Sequence, residues 1–195
     1  PGVGQETFSG GISVDGASGS ENRFVIDGVD TTNPQDGTSG QAFVTDFLLR
    51  AREKGFEVPE DTLVSGLDYL RNTVGNAPDI EEGAGQDMAY ALYVLARAGR
   101  APVGDLKYLA DTKLEDFGSP LARAQIGAAL SLLGDKARAD TAFASAIEAL
   151  AEDAQQNDRS YRSDYGSTLR DASAILALAT DSKSGAQVIK AAAGV

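Results

Sequence analysis

The chain has 195 residues with no Cys, His or Trp, which removes disulfides, thiol nucleophiles, thioesters, imidazole bases and zinc sites of the usual Cys/His kind. Its 17 basic and 29 acidic side chains leave a net charge of −12, with no cationic track for nucleic acid, and no run approaches the roughly 20 apolar residues of a bilayer span. Residues are 42% hydrophobic but only 7% aromatic, so the core must come from Ala and Leu in close-packed helices. The chain opens on Pro1 with neither a basic n-region nor an apolar h-region, and no targeting segment is expected within it.

Residues 1–40 hold nine of the 22 Gly, six acidic residues and one basic residue, Arg23. Two short strands are predicted, over 11–16 and 23–29, with Asp-Gly turns at 15–16, 27–28 and 36–37. Two such strands alone are marginal in water. From Gln41 the period becomes helical. Phe43, Val44, Phe47, Leu48 and Ala51 recur at helix spacing up to Gly55. Pro59 is placed as a first-turn proline before Leu63, Leu67, Leu70 and Val74. A third helix is expected over about 81–98, with Met88, Ala91, Leu92 and Leu95 inward and Gly99 as its stop.

A fourth helix covers about 103–116. Ser119-Pro120 then reads as an N-cap and first-turn proline for an inner helix over 121–133. Gly134-Asp135 separates it from a helix carrying Ala142, Phe143, Ala146, Ile147 and Leu150. A second inner helix spans 169–179, and a weak last one about 184–193. Alanine at Leu132 or Leu176 is expected to cost about 2–5 kcal/mol if those side chains are buried. Seven or eight helices with short connections imply antiparallel pairs in an all-α array, an α/α toroid fragment with a short Gly-rich β-type front. The domains are read as 1–40 and 41–195.

Several polar groupings are candidates for chemistry. Asp27, Asp30, Asn33 and Asp36 could offer Ca²⁺ oxygen ligands, but the EF-hand order and its closing Glu are absent, and Asx turns explain them. Gly2, Gly4, Gly16 and Gly19 lack the strand, helix and Lys-Ser/Thr of a phosphate loop. Glu81, Glu82, Asp87, Asp164 and Asp171 are the carboxylates from which a glycosidase pair could be drawn. Without Trp there is no strong sugar platform, and Glu81 and Glu82 suit a helix N-terminus. Tyr161, Arg162, Asp164, Tyr165, Arg170 and Asp171 form the densest polar-aromatic group. They read as a contact patch, or else as a cap from Ser163 or Asp164 with Arg170 and Asp171 pairing on the helix rim. No catalytic residue, cofactor or metal is assigned.

Two stretches carry family resemblances. Phe8-Ser9-Gly10-Gly11-Ile12-Ser13-Val14-Asp15-Gly16 and Arg23-Phe24-Val25-Ile26-Asp27-Gly28-Val29-Asp30-Thr31-Thr32 resemble the plug of Oar-like TonB-dependent outer-membrane receptors. Over 41–182, Ala42-Phe43-Val44-Thr45-Asp46-Phe47-Leu48-Leu49-Arg50-Ala51-Arg52-Glu53-Lys54-Gly55, Leu67-Asp68-Tyr69-Leu70-Arg71-Asn72, Ala89-Tyr90-Ala91-Leu92-Tyr93-Val94-Leu95-Ala96-Arg97-Ala98-Gly99 and Asp164-Tyr165-Gly166-Ser167-Thr168-Leu169-Arg170-Asp171-Ala172 resemble the thioester-type α/α-toroid domain of bacterial alpha-2-macroglobulins. That resemblance implies protease trapping by the parent protein, protein partners and a periplasmic location; the plug resemblance implies outer-membrane association. The family's Cys–Gln thioester has no counterpart here, because Cys is absent. The expected module is non-enzymatic, and the two resemblances meet between about Thr38 and Phe47, as in a fusion or fragment chain.

Overall fold

The computed structural model describes residues 3–5, 12–14, 25–26, 29–30, 38–77, 80, 85–156, 166–183, 189–190 and 194. The elements are β1 (Val3–Gln5), β2 (Ile12–Val14), β3 (Val25–Ile26), β4 (Val29–Asp30), α1 (Thr38–Glu53), α2 (Glu60–Gly75), α3 (Gln86–Arg97), α4 (Val103–Thr112), α5 (Pro120–Leu132), α6 (Lys136–Gln156) and α7 (Thr168–Asp181). The fold is the expected all-α array with a short β-type front. It divides into two compact units, residues 1–66 and 67–195, with the boundary inside α2.

In the first unit β1 pairs antiparallel with β2, Val3 opposite Val14 and Gln5 opposite Ile12. The expected strand over 23–29 is instead two strands, β3 and β4, with Val25 opposite Asp30 and Ile26 opposite Val29. Asp27-Gly28 lies between them, the dipeptide that favours a two-residue hairpin connection.

Helix α1 turns its small and polar side inward. Ala42, Thr45, Asp46 and Leu49 are buried, whereas Phe43, Val44 and Phe47 face solvent. Close approach to α2 dictates this rotation. A β-carbon on Gly66 would lie 2.6 Å from Thr45 Oγ1, and that hydroxyl donates to the Gln41 carbonyl at 2.7 Å. The helix ends in a Schellman motif, with Phe56 N–H donating to the Ala51 carbonyl and Gly55 N–H to that of Arg52, both at 3.0 Å. Helix α2 starts at Glu60, so Pro59 lies one residue before it, its carbonyl accepting from Leu63 N–H at 3.2 Å.

The second unit is organised on α5, which packs against α3, α6 and α7. Ser119 caps α5, its hydroxyl accepting from Ala122 N–H at 3.1 Å, and Pro120 fills the first turn. Ala122, Ala124, Ile126, Ala128, Ala129 and Leu130 are buried on α5, a spread too wide for one face and therefore a helix held between neighbours. The Ser131 hydroxyl donates to the Ser182 carbonyl at 3.2 Å. That bond joins the C-terminal ends of α5 and α7, so these two helices run parallel. Between α5 and α6 only Leu133, Gly134 and Asp135 intervene. Gly134 takes φ +78°, which L side chains resist, and the Asp135 N–H reaches the Leu130 carbonyl at 3.0 Å.

Three expectations need correction. Leu132 is 54% exposed, at the free edge of the last turn of α5, and Leu176 is only half-buried. Their place inside α5 and α7 falls to Leu130 and Ile175. Helix α3 begins at Gln86 rather than about Glu81, because Gly85 just before it is at φ +84° and breaks the helical path. Of the weak last helix, Ile189 and Lys190 are helical, and its other residues except Gly194 lie outside the described residues.

Candidate interaction surface

The polar-aromatic group singled out in the sequence centres on the start of α7. The helix is capped by Ser167, whose hydroxyl accepts from Arg170 N–H at 3.1 Å. The cap is therefore not Ser163 or Asp164, since α7 begins only at Thr168. Arg170 and Asp171 do pair: Nε and Nη2 of the guanidinium donate to Asp171 Oδ1 at 2.9 and 2.6 Å. The pair is not a rim feature. Asp171 is fully buried while Arg170 keeps part of its side chain in solvent, so the arginine neutralises a carboxylate inside the helical core. Tyr161, Arg162, Asp164 and Tyr165 lie outside the described residues.

A carboxylate so neutralised and enclosed cannot act as one of two cleft-facing acids. Of the other carboxylates considered, Asp87 is half-buried in the first turn of α3, and Glu81 and Glu82 lie outside the described residues. Of the oxygen-rich loop, only Asp30 is described, in β4; Asp27, Asn33 and Asp36 lie outside. Gly4 is described in β1, and Gly2, Gly16 and Gly19 lie outside.

Two groupings were not anticipated. The first is Arg138 on α6. Its Nε and Nη2 engage both oxygens of Asp111 on α4 at 2.7 and 2.9 Å, and Nη1 engages Asp135 at 2.9 Å. Lys107 stands 3.7 Å from the same Asp135 carboxylate. The hydrogen bonds from Arg138 hold the carboxyls of Asp111 and Asp135 below their ordinary range and raise the guanidinium's own affinity for its proton. The second is Tyr90, Tyr93 and Arg97 along α3, at the i, i+3, i+7 spacing that puts side chains on one face. The two rings stack at 6.5 Å and the guanidinium lies 5.9 Å from the Tyr93 ring. Only the 3.6-residue spacing of Tyr, Tyr and Arg could have flagged it.

An open depression of about 250 Å³ is lined by Val74, Ile80, Met88, Tyr108 and Leu109, with Asp105 and Lys113 among its polar lining. Elsewhere in the unit, Arg123 on α5 donates to the carbonyls of Glu115 and Phe117 at 2.9 and 3.2 Å and to the Ser145 hydroxyl of α6 at 3.1 Å. The ion pairs and hydrogen bonds of Arg138 and Arg123 tie neighbouring helices of this unit together.

No protein-family profile matches the chain. The alpha-2-macroglobulin of Escherichia coli K12 is 34% identical over 150 residues, which is 73% of this chain and 9% of that protein. The chain thus spans about a tenth of the length of the curated relatives it matches. Native Escherichia coli alpha-2-macroglobulin from domain MG7 to the C-terminus superposes with a TM-score of 0.65 at 29% identity, covering 78% of this chain and 25% of that one. Trypsin-activated alpha-2-macroglobulin from Escherichia coli gives 0.64 at 29% identity, covering 79% and 11%. These likenesses are not to a TonB-dependent receptor. The chain is homologous to a segment of the C-terminal region of bacterial alpha-2-macroglobulins.

Proposed function

We propose that this chain is a non-enzymatic helical module of an alpha-2-macroglobulin-like protease inhibitor, one that works through protein contact and without a thioester. The observation that carries this reading is the homology, in sequence and in helix arrangement, to a segment of proteins of which one is known in a trypsin-activated form. The lack of any Cys removes the thiol a thioester needs. Proteases are the partner class, and the periplasm is the compartment implied by the family resemblance. By family resemblance the module is residues 41–195, behind a front segment of residues 1–40; the compact units divide later in the chain, after Gly66.

Two measurements test the reading. The purified chain, incubated with trypsin and then denatured, should yield no covalent adduct on a denaturing gel, and it should take up no radiolabelled methylamine. In cells carrying the parent protein, excision of the segment equivalent to 41–195 should lower protection against added protease. Turnover of a glycan or peptide substrate by the chain, or unchanged protection after excision, would overturn it.

A further inference from the structure

We infer that the depression lined by α2, α3 and α4 is a seat for one arginine side chain of a protein partner, a contact that stands whether or not the parent protein traps proteases. Its volume of about 250 Å³ is below the roughly 300–1,000 Å³ of pockets for drug-sized molecules. A cavity of about 150 Å³ already holds one benzene ring, so the space suits a single long side chain. Val74, Ile80, Met88 and Leu109 supply apolar wall, along which a methylene stem lies while its charged head reaches polar groups. The depression is open, so the chain that carries the arginine can pass across its mouth.

Three features of the lining favour a cation, each through different chemistry. Asp105 stands exposed in the first turn of α4, and its carboxylate makes no hydrogen bond or ion pair among the described residues. Tyr108 follows at i+3 on the same face and is 54% exposed, so its ring offers an open π face to a guanidinium. The C-terminal end of α2 forms another wall through Val74 and Gly75. Helix C-termini carry partial negative charge, and α2 has no basic residue in its last turn to meet it.

Lys113 is the cation among the lining residues, and its charge is spent elsewhere. Its ammonium pairs with Asp116 at 3.0 Å. Eight residues at 1.5 Å each put it about 12 Å beyond Asp105 along α4, farther than the Debye length of about 8 Å at physiological salt. Arginine suits the Asp105 end better than lysine does. A planar guanidinium forks onto a carboxylate and stacks on an aromatic face, whereas an ammonium is a point charge.

The test uses the full chain, labelled with ¹⁵N, and blocked pentapeptides of alanine with arginine, lysine or citrulline at the centre. Citrulline keeps the shape of arginine and lacks its charge. NMR titration at about 0.15 M salt screens long-range attraction to the acidic chain. The arginine peptide should bind at least about tenfold tighter than the citrulline peptide, with the largest amide shifts at Val74, Gly75, Asp105 and Tyr108. Asp105→Asn should remove that preference. Asp140→Asn, an equal change of charge at an exposed site on α6, should keep it. Tyr108→Leu should cost the arginine peptide most of its advantage over lysine. Asp105 and Tyr108 are exposed, and unchanged circular dichroism would show that the variants fold. No binding, equal affinities for arginine and citrulline, or a preference that survives Asp105→Asn overturns the inference. A lysine peptide as tight as the arginine one would overturn the assignment to a guanidinium, and free argininamide as tight as the peptide would overturn the protein source.

Discussion

Phe143→Ala tests the packing of α5 on α6 at its tightest point. The Phe143 ring is fully buried and lies over Gly127 of α5, its Cδ2 3.1 Å from where a β-carbon on that glycine would be. Loss of a buried ring removes about 150 Å² of apolar surface or more, worth about 4 kcal/mol at 25 cal/mol per Å². The facing residue is a glycine with no side chain to swing into the void, so the cost should fall high in the usual 3–5 kcal/mol range for Phe→Ala. Urea unfolding followed by far-ultraviolet circular dichroism reads this as a lower midpoint at constant slope. Gly127→Ala alone sets a gain in helix propensity of about 1 kcal/mol against contacts at 3.1–3.3 Å with Phe143, the Ala139 carbonyl and Ala142. In the Phe143→Ala background the ring contact is gone. The double variant should therefore be more stable than the sum of the singles by about 1 kcal/mol. A loss below about 1 kcal/mol for Phe143→Ala, or strict additivity of the pair, would refute the close approach of α5 and α6.

Leu130→Ala should cost about 2–5 kcal/mol, because Leu130 is enclosed, whereas Leu132→Ala should stay within about 1 kcal/mol; paired melts of the two variants check the correction to the α5 face. Ser119→Ala removes the hydroxyl that caps α5 and should cost about 1 kcal/mol, read as a lower urea midpoint. The Asp111 and Asp135 carboxyls are held below their ordinary value of 3.8 by Arg138, so their stabilising share is complete above that pH and is lost as pH falls below it. Arg138→Gln should return both titrations, followed by carboxyl ¹³C shifts, to the ordinary range and flatten the acid limb of the stability profile; unchanged titrations would remove Arg138 as the cause.

Local signals were enough to read the helices. Ser119-Pro120 and Gly134-Asp135 mark the ends of α5 by chemistry internal to two or three residues, and the stripe Ala142, Phe143, Ala146 and Leu150 is buried as its spacing predicts. Facing direction is a different matter. In α1 the periodic apolar residues point outward and Thr45 and Asp46 inward, because Gly66, some 20 residues along the chain, sets how closely α2 approaches. Burial of Asp171 was hidden for the same reason: a carboxylate in a first helical turn reads as a solvated dipole partner, and only tertiary packing encloses it. Arg138 joins residues 27 positions apart, beyond the reach of any periodicity.

The turn between α5 and α6 has a kinetic consequence. Only three residues separate the helices, so their mutual contacts close short loops and carry little of the entropy penalty that slows distant pairing. This hairpin can assemble while the rest of the chain is still unstructured, giving α3 and α7 a preformed surface on which to condense. Gly134, whose φ of +78° makes the reversal possible, is the point through which that early pairing has to turn.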